Sequence, residues 1–267
     1  MKMIIKLLLI YIGSQIVGSL LALPLFLFAD KTTALSTGLI FSSLLMIGYL
    51  WKRHYLRMDN LTWSVGPKYT FLWLIPFTLG GYFFATYINE MLHLPNLLEG
   101  QFVDMSSNVV GVLSIVLIGP IAEEFLFRGA IMNYLLREKG YNRKTAIFLS
   151  ALIFGIIHFN PAQIVYAFLL GMVLGRIYFQ TGSLLLCCIV HIVLNGFSTL
   201  LTIYYPDVEN MKDLFGSELY PWFLPVAMIL VFSSSMYLNK LKSPEWKVQP
   251  KEEPEFDKAI LINEESK

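Results

Sequence analysis

The strongest constraint on the fold of this chain is a series of long apolar segments joined by short polar ones. About 20 helical residues cross the hydrocarbon core of a membrane. By that measure the candidate spans are Leu7–Ala29, Ala34–Trp51, Tyr69–Tyr87, Val109–Leu136, Thr145–His158, Ile164–Phe179, Leu184–Tyr204 and Trp222–Leu238. We therefore expect an all-α, polytopic membrane protein of about eight transmembrane helices. The first segment exceeds the apolar core of a signal peptide, so we interpret it as an uncleaved helix.

Composition supports the membrane class and excludes others. Hydrophobic residues make up 56% of the chain and charged residues only 15%, against about 25% charged in soluble domains. The net charge of +1 lacks the basic excess of a nucleic-acid binder, so the expected partner is the lipid bilayer. Cys187 and Cys188 are neighbours in an apolar run, which fits neither a disulfide framework nor a zinc spacing, and we interpret them as packing residues.

The distribution of basic residues predicts the orientation of the helices. Lys and Arg cluster before the first segment and in every second connection, whereas the connections on the other side contain only Lys31 and Lys212. The positive-inside rule then places both termini in the cytoplasm, and we expect a bacterial cell membrane. Residues Ser243–Lys267 combine three prolines with many charges, which predicts a disordered cytoplasmic tail after a membrane domain of residues 1–242.

Two of the apolar segments are short. Thr145–His158 has 14 residues, about 21 Å of helix, which is too little to cross alone. We expect the fifth and sixth segments to form a buried hairpin whose turn at residues 159–161 is shielded by protein. Gly171 and Gly175 give the second arm a face for close helix packing. The connection 88–108 is polar with interspersed apolar residues, which predicts an amphipathic helix on the outer surface.

Three charged residues lie inside the fourth segment, where a charge near the centre of a bilayer costs roughly 3 kcal/mol and usually marks a site. Glu124 and Arg128 are four residues apart, so we expect an ion pair across one helical turn. Glu123 points about 100° away and stays available for chemistry. Pro120 removes a backbone hydrogen bond just before the pair and favours a kink.

Other polar residues of the apolar segments are predicted to lie at a similar depth. Glu123 and His158 each lie 14 residues from a flanking basic residue, or about 21 Å. His191 and Asn195 lie about 12 and 18 Å from Ser183. Phe154 shares a helix face with His158, as His191 does with Asn195. We therefore expect these side chains to converge on one buried site within residues 108–198.

The chain resembles the CAAX-protease and bacteriocin-processing (Abi) family of intramembrane endopeptidases. Three motifs carry the resemblance in order: Glu-Glu-x-x-x-Arg at 123–128, Phe-x-x-x-His at 154–158 and His-x-x-x-Asn at 191–195. The resemblance implies hydrolysis of a peptide bond in a membrane-associated peptide or protein, of the CAAX type or in a bacteriocin or other peptide precursor. Glu123 and His158 would bind and deprotonate a water molecule. His191 and Asn195 would donate hydrogen bonds to the oxyanion, in a cavity open to the cytoplasm.

Several alternatives stay open at this point. Glu123, His158 and His191 would be the ligands of a zinc ion if the enzyme were a metalloprotease; without a His-Glu-x-x-His helix we favour no cofactor. A bacteriocin immunity protein or membrane scaffold of the same fold would need no catalysis. A transporter would also use buried Glu and Arg residues, but it leaves the ordered His and Asn motifs unexplained. Glu90 and His93 resemble half of a di-iron site, but they lie in an outer connection.

Overall fold

The computed structural model describes residues 1–66, 70–206, 208, 210–241 and 243–246. Within these ranges the regular structure is helical, and no strand is present. The helices are α1 Lys2–Ala22, α2 Lys31–Lys52, α3 Phe71–Leu92, α4 Glu99–Ser106, α5 Val109–Arg137, α6 Arg143–Ile156, α7 Pro161–Thr181, α8 Leu184–Tyr204, α9 Met211–Phe215 and α10 Tyr220–Leu238. A short 3-10 helix at Leu23–Leu27 extends α1.

Among the described helices, α1 with its extension, α2, α5, α7, α8 and α10 are each long and apolar enough to cross a membrane. Helix α3 has 22 residues, about 33 Å. The prediction of an all-α, multi-pass membrane protein is confirmed. The prediction that both helices of the hairpin are short is wrong for the second one. The sixth predicted segment is a helix of 21 residues, and of the two hairpin helices α6, with 14 residues, is the one too short to cross alone.

Capping residues set where the helices begin and end. Asp30 caps α2, accepting a hydrogen bond from the backbone N–H of Thr33 at 2.9 Å. Hydrogen bonds from the Thr33 hydroxyl and backbone N–H hold the pKa of Asp30 below its ordinary value. Helix α7 ends at Gly182, whose φ of 69° lies in the left-handed region that glycine tolerates. Ser183 then caps α8 by accepting from the N–H of Leu186 at 3.0 Å, which fixes the start of the helix that carries His191.

Two antiparallel helix pairs form through close backbone approach at glycine. In the pair of α1 and α2, a Cβ atom on Gly18 would lie 2.1 Å from the Ser42 hydroxyl oxygen. In the pair of α3 and α10, a Cβ on Gly80 would lie 2.8 Å from Cβ of Leu230. The second pair joins helices from opposite parts of the chain, and it packs against α7, where Val173 contacts the surface of α3.

Helices α6 and α7 form the predicted hairpin. A Cβ on Gly171 would lie 3.0 Å from Cα of Ala151, and a Cβ on Gly175 would lie 3.1 Å from the Ile147 side chain. The two glycines of the predicted small-residue face therefore let the arms of the hairpin touch, as expected for helix packing inside a membrane.

Helix α5 is the central helix of the fold. It runs without a break through Pro120 and contains two π-helical stretches, Leu113–Ile118 and Phe125–Met132, in which the backbone bonds from i to i+5. All eight residues of the second stretch are buried. A helix buried around its whole circumference has neighbours on every side, so this part of α5 is enclosed by protein.

The two ends of the bundle differ in charge. The basic end contains the ends of α2 and α5 at Lys52 and Arg137 and the start of α6 at Arg143, and the opposite end contains the starts of α2, α5 and α7. At the opposite end the amphipathic connection forms α4. There the Asn160 side chain accepts from the N–H of Leu97 at 3.0 Å and donates to Asn96 at 2.8 Å. These two hydrogen bonds attach the turn between α6 and α7 to the connection that precedes α4.

The first residues of the predicted tail are packed at the basic end. The indole N–H of Trp246 donates to the backbone oxygen of Phe179 at 3.1 Å. The guanidinium groups of Arg57 and Arg137 lie 5.8 and 5.7 Å from the centre of its ring. Residues 247–267 lie outside the described residues, so the disordered tail stays a prediction there.

Candidate active site

The polar residues of the apolar helices converge on one cavity of about 370 Å³. Among its lining residues are the four predicted catalytic residues and one predicted supporting residue: Glu123, His158, His191, Asn195 and Phe154. The walls are otherwise formed by small, aliphatic, hydroxylated, amide and aromatic side chains of α1, α2, α4, α5, α7 and α8. The volume is in the range of sites that bind small ligands.

Glu124 and Arg128 form the predicted ion pair behind the wall of this cavity. The Nη1 atom of Arg128 lies 2.7 Å from Oε1 of Glu124, and both side chains are fully buried. Arg128 also donates to the backbone oxygen of Gly171 at 3.3 Å, and its guanidinium lies 4.8 Å from the centre of the Phe154 ring. The pair therefore joins α5 to both arms of the hairpin.

His191 lies between the two glutamates. Its Nδ1 atom is 2.9 Å from Oε1 of Glu124, and its Nε2 atom is 3.8 Å from Oε2 of Glu123. The same oxygen of Glu124 accepts a hydrogen bond from Arg128, as an ionised carboxylate does. A carboxylate can only accept, so Nδ1 of His191 is the donor in the short contact and carries the proton. Glu124 thus orients the imidazole as well as Arg128, a function that its spacing to Arg128 alone did not predict.

His158 is oriented in the same way by a backbone group. Its Nδ1 atom lies 2.7 Å from the carbonyl oxygen of Phe154. A carbonyl oxygen only accepts hydrogen bonds, so Nδ1 carries the proton and Nε2 of a neutral ring is an acceptor. The His158 ring also packs edge-on against Phe154, with the ring centres 5.1 Å apart. The predicted sharing of one helix face by these two residues is confirmed.

Asn195 is held by a backbone carbonyl in the first π-helical stretch of α5. Its Nδ2 atom donates to the oxygen of Ile115 at 2.9 Å. One amide hydrogen of Asn195 is used in this bond, and the second remains for another acceptor.

Glu123, which lies on α5, is the more accessible of the two adjacent carboxylates, with 22% of its side chain exposed against 0% for Glu124. It is therefore the carboxylate that faces the cavity.

The cavity lies in a different half of the bundle from the one expected. Its lining extends from Glu123, near the middle of α5, toward Ser114, and along α8 from His191 toward Thr199. Both directions lead away from the basic end. Toward the basic end, α5 continues as the fully buried stretch Phe125–Met132, which closes that side with packed side chains. The expectation of an opening toward the basic, predicted cytoplasmic, side is therefore wrong.

The zinc alternative requires three ligands to converge. Both histidines have Nδ1 hydrogen-bonded and Nε2 left for another partner, which suits a metal ligand. Over the described ranges, however, no three His, Cys, Asp or Glu side chains form a group that could hold a metal ion. Glu90, the carboxylate of the half di-iron pattern noted in the sequence, accepts a hydrogen bond from the backbone N–H of Met211 at 2.8 Å. The donor set does not fit the three-ligand pattern of catalytic zinc sites, and zinc stays an untested alternative to the metal-free prediction.

Tyr11 and Gln15 of α1 also line the cavity, and the motifs gave no indication of them. The available signal was the amide side chain of Gln15 within the apolar segment Leu7–Ala29, because polar side chains of membrane helices usually face the protein interior. Tyr166 and Ser198 also belong to the lining.

Comparison with known proteins points to the same part of the chain. A family model described as Type II CAAX prenyl endopeptidase Rce1-like matches residues 105–197, which contain every predicted site residue. The chain is 28% identical over 113 residues to the membrane-embedded CAAX protease MroQ of Staphylococcus aureus (strain USA300). This match covers 41% of the chain and 46% of that protein, so the chain spans about half the length of this relative. No solved structure matches the chain. Both findings support the relationship of residues 105–197 to the CAAX-protease family of Rce1-like, type II CAAX prenyl endopeptidases that the three motifs predict.

Proposed function

We propose that the protein is an intramembrane endopeptidase that hydrolyses a peptide bond of a membrane-associated peptide or protein. The observation that carries the proposal is the convergence of Glu123, His158, His191 and Asn195 on one cavity. Similarity to the CAAX-protease family over residues 105–197 supports protease chemistry, and the substrate class is a CAAX-type C-terminus or a peptide precursor. The protein is proposed to lie in a bacterial cell membrane with both termini in the cytoplasm, as the basic residues predict.

In this proposal Glu123 is the general base. Its Oε2 atom lies 3.8 Å from Nε2 of His191, which is too long for a direct hydrogen bond but can be bridged by one water molecule. Nε2 of His158 is an acceptor, because Nδ1 of that ring donates to Phe154. A water held by Glu123 and His158 gives its proton to the Glu123 carboxylate as it attacks the peptide carbonyl, and the same proton passes to the leaving amine.

The oxyanion needs hydrogen-bond donors, and the tautomers limit which groups can serve. Neutral His191 carries its proton on Nδ1, toward Glu124, so its Nε2 atom donates only when the ring is doubly protonated. Such a ring lies between the carboxylates of Glu123 and Glu124. Asn195 contributes the amide hydrogen that it does not share with Ile115. A positioned donor of this kind contributes about 10²–10³-fold in rate.

The cavity also limits how the substrate is presented. It extends from the middle of α5 toward the opposite end of the bundle, so the scissile bond must reach the middle of the helical region from there. The lining combines aromatic side chains such as Phe102 and Tyr166 with the hydroxyl groups of Ser198 and Thr199. An apolar peptide segment of a few residues, with its backbone polar groups bonded to these hydroxyls, fits such a wall.

The proposal is tested by cleavage in a purified reconstitution. Two fluorogenic peptides are compared, one with a farnesylated Cys-aliphatic-aliphatic-Met terminus and one without the prenyl group. Glu123→Gln and His158→Ala are each expected to lower the cleavage rate by about 10²–10⁴-fold, since each removes a group that positions or deprotonates the water.

The matched control is Glu138→Gln, which makes the same chemical change at the residue that follows α5, outside the cavity lining. It should retain the wild-type rate. Cleavage by Glu123→Gln at the wild-type rate would refute the mechanism. A correctly inserted wild-type protein that cuts neither peptide, nor any peptide of its own membrane, would favour the scaffold or immunity alternative.

A further inference from the structure

A second pocket lies at the basic end, between helices α6 and α7. It has a volume of about 550 Å³ and is lined by Arg143, Lys144, Thr145, Ile147, Phe148, Leu149, Met172 and Arg176. We call it the basic groove. None of these residues lines the catalytic cavity, and none belongs to the three motifs. The groove combines three cations with an apolar surface and contains no acidic residue.

The cations of the basic groove are incompletely neutralised. Arg143 and Arg176 both donate to the single amide oxygen of Asn239, at 3.3 and 2.5 Å. Arg176 donates once more, to Gln180 at 2.7 Å. Within the described part of the chain, neither arginine nor Lys144 forms an ion pair with a carboxylate. Two guanidinium groups that share one neutral oxygen repel each other and have spare N–H donors, an arrangement that favours an anion.

The apolar part of the groove continues along the hairpin from these cations. Ile147 belongs to this apolar part and also contacts α7, where a Cβ on Gly175 would lie 3.1 Å from its side chain. The apolar part also includes Phe148, which is 46% exposed, and Met172. We call the apolar part of the lining, which α6 and α7 both contribute, the apolar channel of the groove.

The position of the basic groove in the membrane indicates which class of anion it binds. Arg143 is the first residue of α6 and Arg176 lies five residues before the end of α7, so the cations lie where the helices reach the membrane surface at the basic end. Basic pockets between helices at a membrane surface bind anionic lipid head groups, and an apolar channel below the phosphate suits an acyl chain. A peptide carboxylate or free phosphate would use the cations but not the channel.

We propose that the basic groove binds an anionic phospholipid, with its phosphate held by Arg143, Lys144 and Arg176 and an acyl chain lying against Phe148 and Met172. The bound lipid then joins the two arms of the hairpin whose far end carries His158. This site is separate from the proposed protease function and does not depend on it.

The test measures lipid retention by native mass spectrometry and thermal unfolding of the purified full chain. Dioleoyl phosphatidylglycerol is compared with dioleoyl phosphatidylcholine, which has the same acyl chains but no net charge. The wild type should retain phosphatidylglycerol preferentially and unfold at a higher temperature with it. Arg143→Gln/Lys144→Gln should retain it roughly 30-fold less, because each cation near an anionic lipid contributes about a factor of five.

The matched control is Lys139→Gln/Lys240→Gln, which removes the same charge from the basic end but leaves the groove lining intact. It should behave as the wild type. Equal retention of the two lipids by the wild type, or equal losses in the two double variants, overturns the proposal. Stabilisation by inorganic phosphate alone to the same degree shows that the acyl channel is not used and overturns the assignment to a lipid. Because neither readout involves cleavage, these outcomes are independent of protease activity.

Discussion

The buried pair of Glu124 and Arg128 gives the sharpest prediction about stability. Both side chains are fully buried with their charged atoms 2.7 Å apart. Arg128→Met leaves the carboxylate of Glu124 in the interior with His191 as its remaining hydrogen-bond partner among the described residues. Breaking a buried pair by removing one partner costs about 3–5 kcal/mol, mainly because an uncompensated charge stays behind. We therefore expect Arg128→Met to lower the free energy of unfolding by about that amount.

The double variant Glu124→Gln/Arg128→Met separates charge from packing. It leaves no buried charge, and glutamine still offers an oxygen to Nδ1 of His191. The double variant still loses the bond from Arg128 to Gly171, worth about 1 kcal/mol. It should therefore be more stable than Arg128→Met alone.

The assay is a denaturant titration of the detergent-solubilised protein, with the two single variants and the double variant forming a cycle. Lys139→Met, at an exposed cation just beyond α5, is the control and should change stability by less than about 0.5 kcal/mol. If the double variant loses the sum of the two single losses, within about 0.5 kcal/mol, the residues do not interact energetically and the reasoning is refuted.

Three further predictions concern packing, the hairpin turn and the metal. Gly18→Ala should destabilise the protein by about 1–3 kcal/mol, because its Cβ would lie 2.1 Å from the Ser42 hydroxyl oxygen, whereas Gly13→Ala on the same helix meets no atom within 4 Å and should be tolerated; equal thermal unfolding of the two variants would contradict this. Asn160→Ala should cost about 1 kcal/mol, since it removes the hydrogen bond to the N–H of the exposed residue Leu97, and an unchanged unfolding temperature would speak against that bond. A strong chelator should leave cleavage intact, as no three ligand side chains converge in the described residues; loss of activity that zinc restores would establish the metalloprotease alternative.

The parts of the site that follow from local spacing could be predicted from the sequence. The pair of Glu124 and Arg128 follows from four residues of helix, and the contact of Phe154 with His158 follows in the same way. Both relations are set by the geometry of one helix. The similar depths of His158 and His191 follow from counting residues between charged flanks.

Features that depend on tertiary packing could not be predicted. The π-helical stretch at Leu113–Ile118 places the Ile115 carbonyl in reach of Asn195, and an extra residue per turn has no local signature. Which half of the bundle holds the cavity depends on where α5 is enclosed, and that depends on its neighbours. Tyr11 contributes to the cavity from a helix far away in sequence, and apolar periodicity does not specify such partners.

The pairing of α3 with α10 has a consequence for how the protein is made. Trp73 stacks on Tyr237 with ring centres 4.6 Å apart, and Tyr87 stacks on Tyr220 at 5.0 Å. At about 5–20 residues per second, a ribosome needs roughly 10–30 s to add the residues that separate these partners. During that interval α3 is already synthesised while its main partner is not, and Gly80 presents its groove to lipid or to another helix. Helix α10 therefore completes the pair long after α3 is made, and a nascent chain that stops before Tyr220 leaves the α10-binding face of α3 without this partner.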